Sequence, residues 1–129
     1  MCPVYINRIA SIHAESRNEK PYFSAQEPDY KEMITNANLR RRMSRMIKMG
    51  VACGLECLKD ISPEKVDAII TATGLGCLAD TEKFMNALMD NREQMLNPTV
   101  FIQSTFNTIG AQIALLLKIH AYNVTYVHR

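Results

Sequence analysis

Four cysteines are the residues of this 129-residue chain best suited to nucleophilic or metal chemistry. Cys53 and Cys57 lie four positions apart, and Cys77 lies in a glycine-rich segment. A structural zinc site needs four ligands, commonly arranged as Cys-x-x-Cys pairs, and the sequence contains no such pair. We therefore interpret these cysteines as small apolar residues, and the pattern predicts no metal site.

The three histidines do not complete a catalytic group, because none has a Cys, Ser or Asp neighbour at a spacing typical of a catalytic pair. They are His13, His120 and His128. Cys77 does not stand in a Gly-x-Cys-x-Gly elbow, since Leu75 and Ala79 occupy the two glycine positions. The residue types and their spacing thus predict no catalytic residue.

The segment from Gly74 to Ala79 follows a predicted strand and precedes a predicted helix. It fits a relaxed dinucleotide fingerprint in which Ala replaces the third Gly and the helix N-terminus holds a pyrophosphate. The predicted helix starts only near Asp80, however, and no strand ending in an acid follows about 20 residues later. Glycines in a tight strand-to-helix turn explain the segment better, and a dinucleotide-binding module is the weaker alternative.

One basic cluster stands out from an otherwise balanced charge. The chain has 15 Lys and Arg against 13 Asp and Glu, a net charge of +2, which gives no reason to expect nucleic acid as a partner. The cluster comprises Arg40, Arg41, Arg42, Arg45 and Lys48. On a helix these residues spread over more than one side and cannot all follow one phosphate backbone. We interpret them as a solvated helix start or a contact with a carrier protein.

Length and composition indicate one globular domain, because domains cluster near about 100 to 150 residues. Hydrophobic residues make up 47% of the chain and charged residues 22%, which excludes the disordered class. Four cysteines without a hydrophobic signal segment favour reduced thiols and a cytoplasmic location. No apolar run approaches the roughly 18 residues that a membrane span needs, so we expect no membrane span.

The first half of the chain predicts a strand, an irregular segment and a long helix. Residues 4–12 are β-leaning, and residues 13–38 lack a clear period, which indicates a binding loop or a missed element. From residue 39 to residue 58, apolar side chains recur every three or four positions and predict one deeply buried helix. Gly50 and Gly54 cost such a helix about 1 kcal/mol each, so we expect another backbone to approach closely there.

The second half predicts strands alternating with helices. We expect a central strand covered on both faces at 66–73, followed by a helix that is capped by Asp80 or Thr81 and ends at 91. A turn at 97–98 and an extended piece at 99–103 come next. A second helix, capped by Ser104 or Thr105, reaches His120, and a strand at 122–128 ends the chain. This order predicts an α/β fold with a mostly parallel sheet. The last strand is apolar enough to be central, so the chain is expected to be part of a longer protein or to complete its sheet with another chain.

Three stretches together resemble the N-terminal half of a β-ketoacyl-acyl-carrier-protein synthase, a condensing enzyme of the thiolase fold. Residues 41–52 are similar to the family's early buried helix, and residues 67–76 resemble its second strand with the glycine turn. Residues 97–114 are similar to the segment that leads into the family's dimer-interface helix. The likeness is nearest to the divergent synthase-like proteins of aryl polyene and related pigment pathways. It implies a truncated, thiolase-like half-domain, with residues 1–129 as one incomplete domain.

The resemblance also implies a chemistry, that of fatty-acid or polyketide-type acyl chain assembly. In the family, the last strand leads to a Cys nucleophile that takes an acyl group from a carrier thioester, and two further residues, usually His, assist decarboxylation and carbon-carbon bond formation. Counted from Asn107, that Cys would directly follow Arg129, so we expect this chain to contain no catalytic residue and to bind no cofactor. The implied partners are an acyl carrier protein and a second synthase subunit, in a homodimer or heterodimer.

Two departures from the family pattern support an alternative. Ala121-Tyr122 stands where most condensing enzymes have Gly-Pro, and His128-Arg129 stands where they have small residues before the nucleophile. Bulky groups there would crowd an acyl chain, so the alternative is a noncatalytic partner comparable to chain-length factors. It would dock through the helix at 104–120 and the strand at 122–128. The dimer-interface residues that we predict are Thr105, Asn107, Gln112, Tyr122, Val124 and Tyr126.

Overall fold

The computed structural model describes residues 3–14 and 25–128. Within these residues the chain forms six α-helices, one short 3₁₀ helix and two β-strands. In chain order they are α1 (Tyr30–Met33), α2 (Ala37–Arg42), α3 (Arg45–Leu58), the 3₁₀ helix Pro63–Lys65, β1 (Ala68–Thr73), α4 (Leu78–Asp90), α5 (Pro98–Ser104), α6 (Thr108–Leu117) and β2 (Tyr122–Val127).

The two strands lie side by side and run parallel. Their register places Ala68 opposite Tyr122 and Thr73 opposite Val127. The hydroxyls of Thr71 and Thr125 hydrogen-bond across the pair at 2.6 Å. Because α4, α5 and α6 connect the strands, the unit is a crossover connection of the kind that parallel pairing requires. The predicted α/β fold with a parallel sheet is confirmed.

The core lies between the sheet and two long helices. Helix α3 packs against α6, which in turn packs against both strands. Ile47 and Val51 of α3 are fully buried, and they share the core with the buried Ile69 of β1 and Ile113 of α6. This contact explains the glycines of α3: a methyl group at Gly50 would come within 2.8 Å of the Ile109 side chain, and one at Gly54 would meet Ile113 in the same way. The predicted approach of another backbone is wrong, because the atoms nearest to both glycines belong to isoleucine side chains of α6.

The strand predicted at residues 4–12 is wrong. Residues 3–13 form no strand, and Val4, Ile6 and Ile9 are largely exposed. A β-leaning segment becomes a strand only where a neighbouring strand accepts and donates its hydrogen bonds, and within the described residues β1 pairs only with β2. The segment is held at Arg8, whose guanidinium donates to the carbonyl oxygens of Glu56 at 3.1 Å and Lys59 at 3.0 Å.

The single helix predicted over residues 39–58 is two helices. The Asn36 side chain accepts hydrogen bonds from the first turn of α2, which ends at Arg42. The backbone is extended at Met43 and Ser44, and α3 begins at Arg45. Periodicity misses this break because the buried side chain of Met43 keeps its place in the apolar stripe. Helix α1 and the start of α2 also lie in the span that we predicted as irregular, of which residues 15–24 lie outside the described residues.

The extended piece predicted at 99–103 is also wrong, because these residues belong to α5. The side chain of Asn97 accepts a hydrogen bond from the backbone N–H of Thr99 at 2.9 Å, and Pro98 takes the first helical position. A capping Asn followed by Pro starts a helix as well as it makes a turn. Helix α4 starts earlier than its predicted cap, at Leu78, and α6 starts later, at Thr108.

Within residues 3–14 and 25–128, strand β1 is covered on one face, which differs from the prediction of a strand covered on both faces. Ile69 is buried, whereas Ile70 is 64% exposed.

Among the described residues no single helix is long and apolar enough to cross a membrane. Helices α5 and α6 meet that criterion only as a pair, with a bend of 110° between them.

Candidate functional site

The glycine turn after β1 meets the end of β2 at the carboxyl edge of the sheet. The backbone N–H of His128 donates to the carbonyl oxygen of Thr73 at 3.1 Å. The Thr73 hydroxyl oxygen accepts from the N–H of Gly76 at 2.8 Å, which closes the turn. Ligands of parallel α/β sheets bind at this edge, so the turn and the end of β2 are the candidate functional site.

Apolar side chains cover the turn. Gly76 has a φ of +61°, a conformation that favours glycine, and the Phe106 ring lies against the position that a Cβ atom would occupy there. Leu75 and Leu78 are exposed beside it. Phe106 comes from the loop between α5 and α6, so the site combines two parts of the chain that are 30 residues apart (from 76 to 106).

This geometry does not favour the dinucleotide alternative. A pyrophosphate would need the free N–H groups at the start of α4 and the positive end of its dipole. The Asp80 carboxylate already occupies the first turn of α4 and is buried. Phe106 covers the Gly76 position where a phosphate would need close contact with the backbone. The glycines instead serve the tight strand-to-helix turn.

Cys77 occupies the N-cap position of α4, directly after the turn. Its side chain is buried, and burial raises the pKa of the thiol, with the nearby Asp80 carboxylate acting in the same direction. A reactive cysteine needs a lowered pKa and access to its substrate. The Cys77 environment does the opposite, although its place at a helix start resembles that of a nucleophile.

The other two described cysteines lie on α3, away from the turn. Both are free and half-buried, and burial raises the pKa of Cys53, with Cys57 adding to the effect. Within residues 3–14 and 25–128, no group of three or more His, Cys, Asp or Glu side chains is arranged to hold a metal ion.

The side chains of the basic cluster differ in their contacts with the described part of the chain. Arg40 donates to the carbonyl oxygen of Ile34, and Arg45 forms an ion pair with Glu27. Hydrogen bonds from Tyr30 and Arg45 lower the pKa of the Glu27 carboxyl. Arg41 and Arg42, at the C-terminal turn of α2, are exposed.

The six predicted interface residues do not share one surface. Tyr122, Val124 and Tyr126 alternate along β2 and therefore share one face of the sheet. Thr105 donates its hydroxyl to the carbonyl oxygen of Ile102 at 2.8 Å, and Asn107 is exposed at the N-cap of α6.

Gln112 faces a third direction. It lines a cavity of about 100 Å³ together with residues of α2, α3 and α5, and its side-chain oxygen is buried without a hydrogen-bond partner among the described residues. The structure thus brings the three β2 residues together and separates them from Gln112. The interface as a whole stays a prediction.

Comparison with protein families decides the identity. The family model for the N-terminal domain of β-ketoacyl synthases matches residues 13–125, which is most of the chain. The chain belongs to this family. The matched residues include both strands and the glycine turn between β1 and α4.

A solved structure supports the same fold. The chain is similar to one chain of the solved complex between a ketosynthase (ApeO) and its chain length factor (ApeC) from Xenorhabdus doucetiae, with a TM-score of 0.63 and 22% identity. The match covers 82% of this chain and 41% of that chain, so it spans less than half the length of the solved chain. No curated protein matches the chain.

Two features of the site were missed from sequence. Phe106 lies within residues 97–114, which resemble the synthase family, but its contact with Gly76 follows only from the fold of α5 and α6. Every second residue of the strand, namely Ala68, Ile70 and Ala72, is apolar in the sequence, but the prediction treats residues 66–73 as one continuous apolar run. Separating odd from even positions would have shown that the two faces of β1 differ.

Proposed function

We propose that the chain is the N-terminal part of a protein of carrier-bound acyl chain assembly, of the fatty-acid or polyketide type. In this reaction class, an acyl group and a malonyl unit are joined by Claisen condensation with loss of CO₂. The observation that carries the proposal is the family match over residues 13–125. The pairing of His128 with Thr73, which brings the end of β2 to the glycine turn, supports it.

We propose that residues 1–129 form one incomplete synthase domain that supports the acyl-accepting cysteine without supplying it. We call this the platform role. The strand order and the turn present the end of β2 at the ligand-binding edge of the sheet. The described thiols of Cys53, Cys57 and Cys77 are half-buried or buried and are poor candidates for the acyl-accepting group. The acyl-accepting cysteine is therefore proposed to lie elsewhere in the assembled synthase. The free thiols support a cytoplasmic location.

The proposed partner is an acyl carrier protein with an acidic docking surface. Arg41 and Arg42 are exposed at the C-terminal turn of α2, whereas Arg40 and Arg45 contact groups of their own chain. Exposed charges of this kind guide association more than they add affinity. Carrier binding should therefore weaken as the salt concentration rises.

A charge-reversal experiment tests this role. The double variant Arg41→Glu with Arg42→Glu should bind an acyl carrier protein about tenfold more weakly than the unchanged chain, measured by surface plasmon resonance at low salt. The matched control is Lys65→Glu, an exposed basic residue of the 3₁₀ helix, which should leave binding unchanged. Equal losses in both variants, or no carrier binding by the unchanged chain, would contradict the proposal.

A noncatalytic partner subunit, comparable to a chain-length factor, is the second candidate. The observation in its favour is the bulky His128, which stands next to the glycine turn where an acyl chain would pass. The parent reading frame separates the two candidates. A Cys codon directly after Arg129, with two His codons later, supports an active synthase, and any other residue there supports the partner subunit.

We also propose that the protein works as a dimer, with itself or with another synthase subunit. The exposed Tyr122 and Tyr126 support this proposal. Light scattering over a range of concentrations tests self-association, and a monomer at high concentration would leave only the heterodimer.

A further inference from the structure

A cavity of about 470 Å³ lies between three separate parts of the chain and has a thiol in its wall. Residues 10–12 of the N-terminal segment, residues 26–28 before α1 and the middle of α3 line it. An antiparallel bridge between Ala14 and Ala25 holds the first two parts side by side. Cavities of about 300 to 1,000 Å³ are typical of small-molecule sites, so this one is large enough for a ligand.

Cys53 of α3 is the nucleophilic residue of this cavity. Its thiol is free and half-buried, and it lies beside the backbone of Ile12, which also lines the cavity. Burial raises the pKa of the Cys53 thiol, with Cys57 adding to the effect and the Ile12 backbone acting against it. Cys57 lies one turn further along α3 and is also half-buried, but it does not line the cavity. The two cysteines therefore have similar exposure and different surroundings.

The wall of the cavity combines apolar side chains with negative charge. Glu27 and Glu56 line it, and no Lys or Arg among the described residues does. Glu27 already forms an ion pair with Arg45, so Glu56 is the carboxylate better placed to attract a ligand. The apolar lining residues are Ala10, Ile12, Pro28, Met33 and Ala52. Such walls suit a small molecule that has an apolar stem and a positive charge, and they repel one that carries a carboxylate.

We propose that this cavity binds small disulfides that carry a primary ammonium group, and that Cys53 forms a mixed disulfide with them. The Cys53 thiolate attacks one sulfur of the bound disulfide, a new S–S bond forms and the old one breaks. The proton given up by the Cys53 thiol ends on the leaving sulfur, so Cys53 is oxidised and the departing half of the ligand is reduced to a thiol. The Glu56 carboxylate attracts the ammonium group and keeps the disulfide near the Cys53 sulfur. This modification site does not depend on the proposed function.

Three disulfides of similar size test the choice of charge. They are cystamine, which is cationic, 2-hydroxyethyl disulfide, which is neutral, and 3,3′-dithiodipropionate, which is anionic. The full reduced chain is incubated with each reagent at about pH 8, where part of the thiol is ionised. Tandem mass spectrometry then locates the adduct on Cys53 or Cys57, which share the tryptic peptide that follows Lys48 and ends at Lys59.

The measured quantity is the ratio of the Cys53 rate to the Cys57 rate, because this ratio cancels the intrinsic reactivity of each reagent. It should be about fivefold higher with cystamine than with the neutral disulfide, and it should be lowest with the anionic one. In urea, where the cavity is lost, the preference of Cys53 for cystamine should disappear.

The Glu56→Gln variant tests the source of the preference. It should lower the cystamine ratio to that of the neutral disulfide, because the amide of Gln carries no charge. The matched control is Glu82→Gln, which changes an exposed residue of α4 outside the cavity and should leave the ratio unchanged. Absence of a Cys53 adduct with cystamine, equal ratios for the three reagents in the native chain, or an unchanged preference in Glu56→Gln would overturn the proposal. None of these readouts involves condensation activity, so they stand apart from any failure of the proposed function.

Discussion

The position of Cys77 in its helix favours a reactive thiolate, whereas its environment disfavours one. As the N-cap residue of α4, it lies where the helix dipole would stabilise a thiolate. Burial and the Asp80 carboxylate outweigh that effect and raise the pKa of the thiol. At the scale of single residues, the fold therefore keeps this sulfur as a neutral core atom.

Alkylation should show this difference in reactivity. At pH 8 in native buffer, iodoacetamide should modify the half-buried Cys53 and Cys57 before it modifies Cys77, because Cys77 is 3% exposed. Peptide mass spectrometry over time gives the order. In urea, Cys77 should react as fast as the others, which serves as the control. Early modification of Cys77 in the native protein would contradict its assigned role.

The raised pKa of Cys77 also predicts how stability depends on pH. The folded pKa lies above the unfolded value near 9.0, so the thiol's contribution is fully present below that pH and is lost as pH rises through the folded pKa. The free energy of unfolding should fall between pH 8 and pH 10, and Cys77→Ala should make that fall smaller. Urea unfolding at pH 8 and pH 10 measures this fall in the free energy of unfolding. The control variant Leu115→Ala should show the same fall as the unchanged chain.

The contact between helices α3 and α6 lies in the core of the protein. It depends on Gly50 and Gly54, which leave room for the Ile109 and Ile113 side chains. In an open helix, replacing Gly by Ala would stabilise by about 1 kcal/mol. Here the new methyl group meets a buried isoleucine, so overpacking opposes the gain in helix propensity.

We expect Gly54→Ala to lower the free energy of unfolding by about 1 to 2 kcal/mol, since overpacking typically costs 1 to 3 kcal/mol. The Ile113→Val variant removes the methyl group nearest to the new Cβ and alone should cost about 1 kcal/mol. The double variant should be less destabilised than the sum of the two, as measured by urea unfolding in a double-mutant cycle. Strict additivity would show that the two positions are not in contact.

At the scale of the whole molecule, the chain has a core on one side of its sheet and an open apolar face on the other. The carboxyl edge of the sheet holds the glycine turn, and the exposed arginines of α2 lie on a separate element. The proposed contact with a carrier protein uses the exposed charges of α2.

The described cysteines should not accept an acyl group. Incubated with an acyl carrier protein thioester and a malonyl carrier, the 129-residue chain should give no condensation product and no acyl adduct on Cys53, Cys57 or Cys77, because these thiols are half-buried or buried. Intact-protein and peptide mass spectrometry check this, with a complete condensing enzyme as the positive control. An adduct on one of the three, lost on its substitution by Ala, would contradict the platform role.

The features that depend on neighbouring residues could be predicted from the local sequence. The β-branched run ending at Gly74 and the final run from Tyr122 formed the predicted strands, and the apolar stripe from residue 45 formed α3. The α/β class and the likeness to ketoacyl synthases followed from the order of these elements. Backbone propensity and periodicity act within a few residues, so they can be read without knowledge of the fold.

Contacts between distant residues decided the rest. The β-leaning residues 4–12 stayed outside the sheet because no neighbouring strand pairs with them among the described residues, and Phe106 reached Gly76 only through the packing of α5 and α6. Whether Ile70 was covered depended on where α6 crossed the strands. Burial and pairing are properties of partners far apart in the chain, which is why the tertiary structure alone set them.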